Sequence, residues 1–96
     1  MLARIQSFLS KRQRDRRMIE AAWSAFTEAY PSRSILRRWQ GAPRQGSDGS
    51  YVVAVVYDSQ TKPPFRTWWR FVSPEQPPEE IPAWIADQTV GVPLWR

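Results

Sequence analysis

The chain has no cysteine and no histidine among its 96 residues. Without cysteine there is no disulfide, no thiolate nucleophile and no thiolate ligand for a metal. Without histidine the commonest general base and the commonest transition-metal ligand are both missing. Glycine is sparse as well, at four residues. None of Gly41, Gly46 or Gly49 leads into a Gly-Lys-Ser/Thr sequence or opens a helical pattern, so a phosphate-binding loop of that kind is excluded. In the second half Glu79 and Glu80 are adjacent, and Asp48, Asp58, Glu75 and Asp87 stand apart. A catalytic carboxylate needs a pocket and a neighbour that moves its pKa, and adjacent glutamates in a proline-rich stretch supply neither. No apolar run approaches the roughly 20 residues of a bilayer span. The basic cluster follows the first apolar residues instead of preceding them, which is not the order of a secretory signal. The expectation is a cytoplasmic, non-enzymatic chain with no cofactor and no metal.

What the sequence does have is positive charge and tryptophan. Fourteen Lys/Arg against nine Asp/Glu leave a net charge of +5. Residues 1–44 hold ten of those cations against three acids, and residues 45–96 hold four against six. Such polarity suits a nucleic acid, an anionic lipid surface or an acidic protein, although a basic helix face is more often simply solvated. Six tryptophans supply apolar bulk. That matters in one domain of this length, which buries only about 60–65% of its unfolded surface.

Residues 16–30 carry a helical stripe: Ile19, Ala22, Trp23, Phe26, Ala29 and Tyr30 recur at three- and four-residue spacing. Pro31 ends it, because the residue before proline disfavours the helical conformation. Leu2, Ile5, Phe8 and Leu9 form a second short stripe, and Ser10 to Arg17 contain no apolar residue. One continuous helix with an exposed basic middle is expected, its first fourteen residues frayed or docked separately.

Three strands are expected next. Residues 34–41 read as a strand, and Gln45-Gly-Ser-Asp-Gly-Ser50 as a turn. Tyr51–Asp58 is apolar on both faces and rich in β-branched residues, as in the middle of a sheet. Residues 59–64 form the next turn, and Phe65–Ser73 the third strand. Beyond that, Pro74, Pro77, Pro78 and Pro82 cut residues 74–96 into short extended pieces. Within them Ile81–Asp87 fits one or two helical turns, and Val90–Trp95 a docked edge strand. Pro74-Glu-Gln-Pro77 has PxxP spacing without a basic flank and reads as a stiff connector. The fold class is therefore α+β: an N-terminal amphipathic helix on a three- to four-stranded antiparallel meander, with a proline-rich tail. Trp23, Phe26 and Tyr30 are expected to meet Val53, Val55, Trp69 and Phe71.

Over roughly residues 15–73 this order resembles the cystatin-like folds in architecture alone. That family's inhibitory Gln-Val-Val-Ala-Gly pattern is absent, Gln45-Gly-Ser-Asp-Gly49 standing at the turn, and no function is implied.

Two constellations are candidate sites. Arg66, Trp68 and Arg70 alternate onto one face of the third strand, an aromatic between cations that suits stacking and phosphate or carboxylate binding. Val52, Ala54 and Val56 share that face on the neighbouring strand and make it too apolar to leave in water. The cover is expected to be the chain's own tail, a second copy or a protein partner, ahead of a nucleic acid. A partner or homodimer contact through Arg66, Trp68, Arg70, Val52 and Val56 is thus the leading functional expectation. The second constellation is Lys11, Arg12, Arg14, Arg16 and Arg17, a candidate anion-binding run for nucleic-acid phosphates. With the Leu2–Leu9 stripe it also resembles a short surface-lying helix, and membrane docking ranks last because that stripe is only nine residues long.

Overall fold

Why one helix forms, and where it stops, sets the rest of the architecture. In a computed structural model that describes residues 2–31, 37–58 and 65–91, α1 runs unbroken over Leu2–Ala29. The side chains of residues 2–9, 37, 38, 57, 58 and 65 lie outside that description, and with them the expected docking of the Leu2–Leu9 stripe. The five strands are β1 (Arg37–Gln40), β2 (Arg44–Gln45), β3 (Tyr51–Asp58), β4 (Phe65–Phe71) and β5 (Glu79–Ile81), and α2 (Ala83–Val90) follows. All strand pairs are antiparallel, in the order β1-β3-β4-β5, with β2 also on β3. The α+β class holds. The strand number rises to five because β2 and β5 are too short to show a period-two pattern.

The register decides which residues face α1. Tyr51 pairs with Phe71, Val53 with Trp69 and Val55 with Thr67, so one face collects the expected residues. Met18, Ala22, Trp23 and Phe26 bury against Val53, Val55, Trp69 and Phe71, with Tyr30 and Tyr51 packed at the margin. Trp23 meets Phe26 edge-on at 5.6 Å between ring centroids, and Phe26 lies 5.2 Å from Tyr30. The polar ends of the aromatics are tied off. Trp23 Nε1 donates to Gln40 Oε1 at 3.0 Å on β1, Tyr30 O–H donates to the Glu80 carboxylate at 2.8 Å on β5, and buried Trp69 Nε1 donates to Thr67 Oγ1 at 2.9 Å. The helix is thus pinned to both edge strands. The expected stripe needs one exchange: Met18 is fully buried, whereas Ala29 is exposed because the last turn meets the sheet through Tyr30.

β1 and β2 are one edge strand broken by a bulge. Gln40 pairs with Val55 and Arg44 with Val52, so Gly41, Ala42 and Pro43 oppose only two residues of β3. Pro43 has no N–H for the ladder, and Gly41 N–H still reaches Ala54 O at 3.0 Å. The β2–β3 turn closes through Asp48, whose Oδ1 accepts from Ser50 Oγ at 2.6 Å and Ser50 N–H at 3.0 Å. These bonds, the hydroxyl foremost, hold the Asp48 carboxyl below its ordinary pKa, with the charge of Arg70 a minor addition. Gly49 takes φ +88°, the left-handed region that favours glycine.

The end of α2 sits on this turn. Ser47 N–H donates to Thr89 O at 3.3 Å, and a Cβ on Gly46 would stand 2.6 Å from that oxygen and 2.7 Å from Thr89 Cγ2. Backbone cannot yield there as a flexible side chain does. Gly46→Ala is therefore expected to lift the end of α2 from the turn and cost about 1–3 kcal/mol. Urea denaturation beside the wild type checks it, and an unchanged midpoint would show that the close approach carries no energy.

Candidate functional site

The face of the sheet away from α1 is not open. Val52, Ala54 and Val56 are only 1%, 3% and 4% exposed. α2 was expected as one or two turns over 81–87 and forms over 83–90, with Ile81 left as the last residue of β5. Its start follows from Pro82, whose carbonyl accepts from Ile85 and Ala86 N–H at 3.1 Å. Its end follows from Gly91 at φ +86°, whose N–H caps Asp87 O at 2.7 Å. Between these limits Ile85, Ala86 and Val90 pack, with Ile81, on Val52 and Trp68. Val52 and Val56, expected on an open apolar face, are thus buried in the chain's own fold, and α2 supplies the cover over Val52. The expected edge strand Val90–Trp95 falls mostly outside the described residues.

This covering divides the Arg66/Trp68/Arg70 constellation. Trp68 is half-buried in the α2 layer, and its Nε1 is closed off from solvent without an acceptor among the described residues. Arg66 is exposed, beside Val56 in the register. Arg70 is half-buried, between Val52 and Glu79 in the register. The large apolar side chains that do reach solvent are others: Trp84 on α2 at 60%, Trp39 on β1 at 40% and Val72 at 70%. Sequence pattern did not mark them, because a single exposed apolar residue leaves no periodic trace.

The basic run behaves differently. Ser10 to Arg17 contribute nothing to the described core, whose first described residue along α1 is Met18. Arg14 reaches back to the sheet. It stands 5.1 Å over the Tyr51 ring, at the first residue of β3, and 3.7 Å from Asp15 Oδ1. Lys11, Arg12, Arg16 and Arg17 are exposed. A 28-residue helix is about 42 Å long, and an eight-residue strand about 27 Å. The chain measures 50 × 26 × 22 Å along its principal axes. The first half of α1 therefore runs on past the sheet, and Arg14 marks where it leaves. Residues 1–17 hold six Lys/Arg and one acid, while the other residues hold eight of each. The whole net charge of the chain lies in this half helix.

A groove of about 670 Å³ opens where α1 meets the sheet edge. Arg12, Asp15, Arg16, Ile19 and Glu20 line it from the helix and Gln40 from β1. No cluster of three Asp or Glu side chains placed to hold a metal occurs among the described residues. None of their helices is long and apolar enough to cross a membrane.

The chain is thus a small α+β protein: an antiparallel sheet with a long, overhanging basic helix on one face and a short helix on the other. No protein-family model, curated protein or solved structure matches it.

Proposed function

We propose that this chain is a non-enzymatic, cytoplasmic interaction module that binds nucleic acid through the first half of α1. The observation that carries the reading is the confinement of the entire +5 charge to residues 1–17, on a helix that overhangs the sheet. The arrangement of those cations supports a nucleic acid over a lipid surface. At about 100° per residue, Lys11, Arg12, Arg16 and Arg17 leave no gap wider than roughly 120° around the helix. A planar membrane meets one side of a helix lying on it. A helix in the major groove of a duplex has a phosphate backbone on each flank. Self-association through the sheet face, the leading expectation from sequence, loses its motive because the apolar strip at Val52 already carries α2.

The expected result is binding of a labelled duplex oligonucleotide at low salt, weakening about a hundredfold for a fourfold rise in salt as four phosphate contacts are lost. Fluorescence anisotropy measures it. Size-exclusion chromatography with light scattering, read at 260 and 280 nm, separates monomer, dimer and nucleic-acid complex. No oligonucleotide binding at low salt, or co-sedimentation with anionic vesicles alone, would overturn the reading.

A further inference from the structure

We infer that the groove between α1 and β1 seats a phosphodiester of the bound nucleic-acid strand, held by Arg12 and Arg16 on one wall and the amide of Gln40 on the other. The inference rests on the nucleic-acid reading above and adds a place for the backbone. Arg12 and Arg16 are one helical turn apart and both line the groove. Two guanidiniums at that spacing can both reach one anion. Gln40 stands opposite with its orientation fixed. The Trp23 indole N–H can only donate, so the 3.0 Å bond to Gln40 Oε1 leaves the amide NH₂ as the end still able to donate. Two guanidiniums and the Gln40 amide, with Gln13 also on the helix wall, thus border one cleft, at the level where the helix leaves the sheet.

The acids in the groove oppose an anion there. Asp15 is engaged by Arg14 at 3.7 Å, and Glu20 stands one turn beyond Arg16 on the same wall. The Glu20 carboxylate weakens the hold of Arg12 and Arg16 on a phosphodiester. A duplex whose major groove holds the first half of α1 carries one backbone along the side of the helix that faces β1. Ile19, half-buried at the groove wall, packs against the core cluster that includes Trp23.

Arg16 and Arg17 make a matched pair for the test. They carry the same charge at the same level of the helix, and of the two Arg16 alone lines the groove. Arg16→Gln is expected to weaken binding of the labelled duplex about tenfold, the loss of a charged hydrogen bond, and Arg17→Gln about threefold at most. Glu20→Gln is expected to tighten binding several-fold, and Glu28→Gln, the same charge change well away from the groove, to leave it nearly unchanged. All four sites are exposed, so the variants should fold, which circular dichroism verifies. Equal losses for Arg16→Gln and Arg17→Gln would overturn the groove and leave nucleic-acid binding standing. Failure of the wild type to bind the duplex, or binding only to vesicles rich in anionic lipid, would overturn both.

Discussion

Phe26→Ala is expected to destabilise the protein by about 3–5 kcal/mol. Phe26 has no solvent exposure and lies in the apolar layer between α1 and the sheet. It touches Trp23 edge-on and Tyr30 at a tilt, so its loss removes two ring contacts as well as the ring's own transfer energy. The cavity cannot close easily. Trp23 is held by Gln40 at one sheet edge and Tyr30 by Glu80 at the other, which fixes the helix above the gap. A domain of 96 residues has roughly 5–14 kcal/mol in total. The substitution therefore removes a large part of the whole, and the expected urea midpoint falls accordingly. Phe26→Leu, which keeps most of the volume, should cost distinctly less. A loss under about 1 kcal/mol for the alanine variant would mean that α1 is not anchored where its ring sits.

How much of this was legible in the sequence depends on the range over which each signal acts. The inner core was legible because it rests on two periodicities. Trp23, Phe26 and Tyr30 repeat at helical spacing, and Val53, Val55, Trp69 and Phe71 at strand spacing. The register then needed only the rule that an apolar face pairs with an apolar face. Met18 escaped because it borders the basic run, where no stripe is visible. β2 and β5 escaped because two- and three-residue strands are defined by their partners and carry no pattern of their own. The outer layer was half legible. The apolar Val52/Ala54/Val56 strip demanded a cover, and the tail was among the candidates. Its position depends on Gly46 admitting Thr89 and Gly91 turning the chain, both properties of tertiary approach.

The candidate sites divide along the same line. Lys11, Arg12, Arg16 and Arg17 were readable as a run because their exposure follows from the absence of apolar neighbours. That residues 1–17 together carry the whole net charge became meaningful only once the helix was seen to overhang the sheet. Gln40 gave no signal, since its part depends on the indole that turns its amide. The Arg66/Trp68/Arg70 alternation was real, but alternation says which residues share a face and nothing of what lies on it.

Ile81→Asp is expected to cost about 3–5 kcal/mol and to raise the protein's tendency to self-associate above that of the wild type. Ile81 is 4% exposed and joins β5 to the α2 layer, packed with Val52 and Ala86. The aspartate would bring a carboxylate into an apolar cluster of Val52, Ala86 and Trp68, with Glu79 on the same strand face already opposite Arg70 in the register. Relief comes by releasing α2. That uncovers Val52 and Trp68 together, a contiguous apolar surface of the kind that seeks another copy. Trp84→Asp is the control. Trp84 lies on the same helix and is 60% exposed, so the change should fall within about 0.5 kcal/mol and leave the wild-type oligomeric state unchanged. Light scattering on both variants separates the two roles. A stable Ile81→Asp variant with the wild-type oligomeric state would show that α2 does not keep this face covered, and would return the sheet face to candidacy as a contact surface.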